Sequence, residues 1–131
     1  MSHVTHIKVR GYHLDFYGHV NNARYLELLE EARWRMVEGS ANLRDWRDRG
    51  LAFVVVRVEI NYRRPALLDD ELEIESEMAH LGGRSGVIHQ EVRRAADGER
   101  LADADITFVI VDVKTQKALP LEGEIREALT P

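Results

Sequence analysis

The hydrophobic pattern of this chain changes its period near Gly50, and that change limits the folds open to it. Between Tyr25 and Met36, apolar residues recur every three or four positions, as on one face of a helix. After Gly50, they recur at every second position in short segments separated by turn residues, which is typical of strands joined by hairpins. The pattern predicts an α+β domain in which one antiparallel sheet wraps around one long α-helix.

The long helix is expected to follow a polar loop over residues 13–22, with Asn21 or Asn22 as its N-cap and Gly39 at its end. A shared apolar face is expected for Tyr25, Leu28, Leu29, Ala32 and Met36. Strands are predicted over residues 7–12, 53–62, 71–78, 87–93 and 104–113, and shorter helical pieces over residues 42–49 and 122–129. In the second strand, one face is expected to carry Val54, Val56, Val58, Ile60 and Tyr62.

Length and composition exclude several classes of function. The 131 residues suit a single domain over the whole chain, and a net charge of −5 does not suit a polybasic nucleic-acid binder. Without cysteine, the chain has no disulfide, thiolate metal site or cysteine nucleophile. We find no signal peptide and no apolar run long enough to cross a membrane, so we expect a cytoplasmic protein. A single sheet leaves one face and its edges exposed, and we therefore expect a homo-oligomer.

The loop before the helix carries the densest group of reactive residue types, with Asp15, Gly18, His19 and Asn22 close together. Free backbone N–H groups at a helix start can hold a developing oxyanion, and a glycine lets the backbone approach a ligand. A nearby carboxylate can attack a carbonyl or take a proton from water. Composition alone favours simpler roles, in which Asp15 forms a turn, the asparagines cap the helix and His19 bonds to backbone.

Other candidate sites are weaker. The six histidines form no paired ligand motif, so we predict no metal site. The run Gly83-Arg84-Ser85-Gly86 is not a nucleophile elbow, which requires glycines two residues either side of the serine. Arg63, Arg64 and Arg84 suit the phosphates of a nucleotide-bearing carrier such as coenzyme A, although each can equally be a solvated surface charge.

The run DFYGHVNNARYL at residues 15–26 resembles the active-site segment of the 4-hydroxybenzoyl-CoA thioesterase-like hotdog enzymes. Further segments, among them KVRGYHLD, INYRRPA and ITFVIVDVKTQKALPLEGEIRE, resemble bacterial long-chain acyl-CoA thioesterases almost from end to end. The resemblance implies a hotdog fold, in which the sheet wraps the long helix. It also implies hydrolysis of an acyl-CoA substrate without a cofactor, in a dimer or tetramer.

The resemblance places the catalytic carboxylate on Asp15 and the carbonyl-polarising backbone amide on Asn22, with Gly18 and His19 lining the same loop. It implies that the turn of Gly83, Arg84 and Ser85 contacts pantetheine or the nucleotide, often from a neighbouring subunit. Two alternatives remain: a hotdog hydratase or dehydratase, whose motif differs after Gly-His, and a non-catalytic acyl-CoA-binding module. The acyl chain is expected to enter a tunnel lined by residues such as Met36, Phe53 and Val55.

Overall fold

The structure is a computed structural model that describes residues 2–130. Its elements are β1 (Ser2–Lys8), a 3-10 turn (Gly11–His13), α1 (Asn22–Glu38), α2 (Leu43–Asp48), β2 (Leu51–Tyr62), β3 (Glu71–Leu81), β4 (Gly86–Arg94), β5 (Arg100–Asp112), β6 (Lys117–Ala118) and α3 (Gly123–Leu129). All strand pairs are antiparallel, in the order β1-β3-β4-β5-β2, with the short β6 beside β5. The edges of this sheet are therefore β1 and β2.

The core lies between α1 and the concave face of the sheet. Side chains at alternate positions of the three central strands are fully buried there, namely Leu72, Ile74, Ile88, Val92, Ile106, Phe108 and Ile110. From α1, Leu28, Leu29 and Ala32 pack against them, because their spacing places them on one face of the helix. The predicted α+β class and hotdog fold are confirmed.

The ends of α1 are set by the residues that the sequence indicated. Asn21 is the N-cap, and its side-chain oxygen accepts a hydrogen bond of 2.8 Å from the Ala23 N–H. Gly39 follows the last helical residue as the C-cap. Four of the five residues predicted for the apolar face are buried, and Met36 is half-buried.

The predicted first strand is wrong in position. β1 covers Ser2–Lys8, and Gly11–His13 form a 3-10 turn instead of continuing the strand. The strand was missed because its residues do not alternate between apolar inner and polar outer positions. The polar Thr5 is buried on the inner side, whereas the apolar Val4 is 44% exposed. Buried Val9 follows β1 and pairs with the turn before β3, where its N–H donates to the Asp70 carbonyl at 2.9 Å.

The predicted face of β2 is also wrong in part. A β-bulge between Val55 and Arg57 shifts the register against β5, so the simple alternation of residues 53–62 does not hold. Val58, Ile60 and Tyr62 lie opposite buried residues of β5, but Val54 lies opposite Val109 on the other face. The other predicted strands and the short helices occur where they were expected, with ends that differ by a few residues, whereas the short β6 was not predicted. No helix among residues 2–130 is long and apolar enough to span a bilayer.

Candidate active site

The predicted loop and the end of β2 enclose an open cleft of about 360 Å³. Its lining brings together residues from three segments: Asp15, His19 and Val20 from the loop, Asn22 and Tyr25 from α1, and Tyr62, Arg63, Arg64 and Pro65 from the end of β2. Five of the predicted site residues therefore meet in one place. Gly18 lies within the same loop and has a positive φ of 78°, a conformation that glycine adopts without strain.

The side chain of Asp15 is fixed through one of its two oxygens. Oδ1 accepts hydrogen bonds from the backbone N–H groups of Tyr17 at 2.8 Å and His19 at 3.2 Å. The main chain closes the same loop, because the Asp15 N–H donates to the His19 carbonyl at 2.8 Å. Within the described residues Oδ2 has no hydrogen bond. Asp15 thus stabilises a turn, as the composition of the loop suggested. Its carboxylate also keeps one oxygen free for a ligand.

The start of α1 supplies an unpaired amide in this cleft. The Asn21 side chain caps the Ala23 N–H, and the first helical bond joins the Tyr25 N–H to the Asn21 carbonyl at 3.2 Å. The Asn22 N–H lies between them and has no acceptor in the described part of the chain. The sequence left the N-cap open between Asn21 and Asn22. Since Asn21 is the cap, the Asn22 amide is left available to a ligand.

His19 lies at the rim of the cleft, where its backbone forms an isolated bridge with Leu67. Its side chain is exposed, and no hydrogen bond joins it to another described residue. The geometry therefore holds the backbone of His19 in place and leaves its imidazole free to contact a ligand.

The two arginines of the cleft are each paired with a carboxylate. Nε of Arg63 donates to Asp103, and this guanidinium holds the pKa of Asp103 below its usual value. Arg64 lies 3.3 Å from Glu99. The terminal nitrogens of Arg63 have no hydrogen bond among the described residues. Arg63 can therefore keep its structural partner and still contact a phosphate.

The turn with Gly83, Arg84 and Ser85 lies elsewhere in the chain. It follows β3, whereas the segment beside Asp15 precedes β3, and an 11-residue strand separates the two by roughly 30 Å. Arg84 donates to the Ala118 carbonyl at 3.0 Å, and the Leu121 N–H donates to the Gly83 carbonyl at 2.7 Å. Within one chain, these three predicted residues do not meet Asp15.

Two tyrosines of the cleft were not predicted as site residues. The sequence placed Tyr25 on the apolar face of α1 and within the run that resembles the family's active-site segment, and it placed Tyr62 at the end of a strand and in the similar run INYRRPA. Neither tyrosine was given a role in the site. Their rings pack at a steep angle with centroids 5.4 Å apart, and the Tyr62 hydroxyl donates to the Asn22 carbonyl at 2.8 Å. The one sequence feature that could have indicated a site role is the presence of a tyrosine, rather than a phenylalanine, beside a predicted catalytic loop.

A second, more apolar pocket of about 480 Å³ lies further along the groove between α1 and β2. It is lined by Leu26, Glu27, Glu30, Arg33, Trp34, Val37, Phe53, Val54 and Val55. Two of the residues expected to line a tunnel, Phe53 and Val55, lie here. Met36 faces a different pocket, which it shares with Met78 and Leu129. Among residues 2–130, no group of His, Asp or Glu side chains is arranged to hold a metal ion.

Comparison with known proteins finds relatives that are named as thioesterases or thioester hydrolases. Residues 9–129 match the model of the thioesterase-like superfamily. The chain is 58% identical over 125 residues to the long-chain acyl-CoA thioesterase FadM of Escherichia coli strain K12, covering 95% of both chains. It is 34% identical over 106 residues to the acyl-CoA thioester hydrolase YbgC of Escherichia coli O6:H1, covering 79% of this chain and 78% of that one.

Among solved structures, the chain is similar to YbaW, a probable thioesterase from Escherichia coli. The TM-score is 0.88 at 57% sequence identity, over 96% of this chain and 95% of that one. The likeness therefore extends over the loop, the helix start and both pockets.

Proposed function

The chain belongs to the thioesterase-like superfamily, and we propose that it hydrolyses long-chain acyl-CoA to a free fatty acid and coenzyme A. The observation that carries this proposal is the cleft in which a free oxygen of Asp15 and the unpaired Asn22 amide occur together. The 58% identity to a long-chain acyl-CoA thioesterase, over nearly the full length of both chains, supports the substrate class.

In the proposed mechanism, Asp15 acts as a carboxylate through Oδ2. It either attacks the thioester carbonyl carbon, giving a thiolate and a mixed anhydride that water then hydrolyses to the fatty acid and free Asp15, or takes a proton from the water that attacks. In both routes the Asn22 N–H stabilises the oxyanion, and one such donor contributes roughly 3 kcal/mol to transition-state stabilisation. A thiol has a pKa of about 8.5, so the thiolate leaves without a strong acid to protonate it. One carboxylate and one amide are therefore chemically sufficient.

Gly18 and His19 support this site in different ways. The positive φ of Gly18 closes the loop that turns the Tyr17 and His19 amides onto Asp15. The exposed imidazole of His19 is placed to orient the substrate at the rim. For the coenzyme A phosphates, the free terminal nitrogens of Arg63 and the neighbouring Arg64 are the candidates within the same chain. We assign Gly83, Arg84 and Ser85 to coenzyme A contacts made across a subunit boundary.

The acyl chain has room along α1. The cleft begins at Asn22 and the apolar pocket ends at Val37, and at a rise of about 1.5 Å per residue these positions are roughly 22 Å apart. The pocket volume of about 480 Å³ lies within the range usual for ligand pockets. Its aliphatic and aromatic lining suits a long hydrocarbon chain.

The sheet edge at β2 supports a homo-oligomer. Val54, Val55, Val56 and Val58 are each at least 36% exposed, on a strand whose outer backbone groups have no partner strand in the described chain. Pairing of two β2 edges would cover these valines in a homodimer. Two such dimers packed together would give the alternative homotetramer.

The decisive experiment measures thiol release from acyl-CoA substrates of increasing chain length, aromatic ones included. We expect turnover to be highest with long chains, and Asp15→Asn to reduce kcat by at least 100-fold while the circular dichroism spectrum is unchanged. Asp48→Asn makes the same chemical change at an exposed position in α2 and should leave turnover unaltered.

The possible outcomes separate the parts of this proposal. Near-normal hydrolysis by Asp15→Asn would remove Asp15 from the mechanism. Hydration of an enoyl-CoA without thiol release would instead indicate the hydratase alternative. Tight acyl-CoA binding with no reaction would indicate a binding module.

A further inference from the structure

Tyr62 connects the sheet to the catalytic end of α1. It is the last residue of β2, and its hydroxyl donates a hydrogen bond of 2.8 Å to the carbonyl of Asn22, the first residue of α1. Its ring packs against that of Tyr25 one turn further along the helix. We propose that Tyr62 is a positioning residue that holds the Asn22 amide at the distance from Asp15 that oxyanion stabilisation requires. This inference rests on the proposed thioesterase function.

The start of α1 needs such support because helix ends fray where their backbone groups lack intrahelical partners. Asn22 and Ala23 are both exposed, so packing does not fix this first turn. Behind it, the Asn21 N–H is tied to the His13 carbonyl at 2.9 Å and the Val20 N–H to the Ala66 carbonyl at 2.9 Å. These bonds hold the loop that leads into the helix. Tyr62 instead holds the residue that carries the oxyanion donor.

The same geometry links Asp15 and Asn22 to one short segment. Tyr62 begins a stretch that continues through Arg63 and Pro65 to Ala66, whose carbonyl accepts from Val20, and to Leu67, which pairs with His19. His19 in turn donates to Asp15. The Asp15 carboxylate and the Asn22 amide lie on different elements. Both are thus connected by hydrogen bonds to the segment that begins at the end of β2. One hydrogen bond joins Tyr62 to the Asn22 carbonyl, and another joins Ala66 to the loop that carries Asp15.

Three other roles for Tyr62 fit less well. Burial raises its pKa, so the phenol is neutral and does not act as a nucleophile. Its hydroxyl already donates its one hydrogen bond to the Asn22 carbonyl, which leaves no donor for the substrate. A purely stabilising role is small, because the residue is 48% exposed and water can replace much of such a hydrogen bond. Loss of this hydrogen bond should affect the catalytic rate more than the stability, because a small displacement of a catalytic group reduces the rate by a large factor.

The test is Tyr62→Phe, which removes the hydroxyl and keeps the ring packed on Tyr25. We expect kcat for a long-chain acyl-CoA to fall about tenfold, less than for complete loss of an oxyanion donor. We expect KM to change less than twofold and the thermal midpoint to change by less than about 2 °C. Tyr12→Phe is the matched control, because Tyr12 is 70% exposed and lies outside the cleft, and its turnover should equal that of the unmodified chain.

Several results would overturn the inference. Unchanged kcat in Tyr62→Phe would show that the hydrogen bond does not position the amide. A rise in KM at constant kcat would make Tyr62 a substrate contact, and a large fall in thermal midpoint would make it a structural residue. Asp15→Asn, measured alongside, separates the two proposals. If that variant is inactive while Tyr62→Phe is normal, only the positioning role fails, whereas an unmodified chain that releases no thiol would overturn both.

Discussion

The hydroxyl of Tyr25 departs from the rule that buried polar groups form hydrogen bonds. Tyr25 is 4% exposed, and its hydroxyl has no hydrogen-bond partner among the described residues. Burial raises its pKa, and the nearby Ala66 backbone only partly offsets this effect. A buried polar group without a partner typically costs about 1–3 kcal/mol of stability. The sequence shows that a tyrosine is present, but not that its hydroxyl is left unpaired.

Tyr25→Phe should therefore stabilise the protein. The substitution removes the unpaired oxygen and retains the ring that packs on Tyr62. We expect a gain of about 1 kcal/mol, which corresponds to a rise of roughly 4 °C in thermal midpoint for a chain of this size. Differential scanning calorimetry measures it directly. A loss of stability would mean that the hydroxyl does have a partner in solution, for example an ordered water.

Residues of the candidate site were predictable to different degrees. The turn-forming character of Asp15 and the capping role of an asparagine follow from local hydrogen-bonding preferences, and the structure confirms both. A catalytic role for Asp15 came from the resemblance and stays a prediction. Tyr62 was missed because its partner, Asn22, is 40 positions away in sequence. A contact of that range depends on the fold and leaves no periodic signal.

At the scale of elements, α1 and the sheet are joined by a polar cluster inside an otherwise apolar core. Gln90 on β4 is fully buried, and its amide nitrogen donates to the Leu29 carbonyl at 3.0 Å and to Ser76 Oγ at 2.9 Å. Its amide oxygen accepts from Arg33 at 3.1 Å. The alternation of residues 87–93 predicts a strand, but it does not predict that a glutamine would face the core.

The Gln90 cluster should contribute substantially to stability. Gln90→Ala leaves Ser76 and Arg33 without this partner and opens a cavity beneath α1, so we expect a loss of roughly 2–4 kcal/mol. Chemical denaturation monitored by circular dichroism measures it. Glu77→Ala, at an exposed position on β3, serves as the control and should change stability by less than about 0.5 kcal/mol. An equal, small effect from both variants would show that the cluster is not coupled to the fold.

At the scale of the whole molecule, the sequence predicted the layers of the fold better than the faces of its edge strands. Buried and partly exposed residues alternate strictly along most of β4 and along β3 from Leu72 to Ser76, because these central strands are buried on one side. β1 and β2 lie at the edges, where a bulge and exposed valines weaken the pattern. The exposed apolar residues of β2 are at odds with an isolated monomer, and they are the feature that a second copy would cover.

The proposed homodimer through β2 would also have a consequence for catalysis. Isologous pairing of two antiparallel β2 strands places the Tyr62 end of one copy near the Leu51 end of the other, so the Asp15 cleft of one lies beside the apolar pocket of its partner. We expect Val56→Lys combined with Val58→Lys, at exposed positions of β2 outside both pockets, to give a monomer with reduced turnover of long-chain substrates, because charged side chains oppose edge pairing. Analytical ultracentrifugation measures the oligomeric state. Val4→Lys combined with His6→Lys, on the opposite edge strand, is the matched control and should remain dimeric. Dissociation caused by the β1 variant alone would place the interface at the other edge of the sheet.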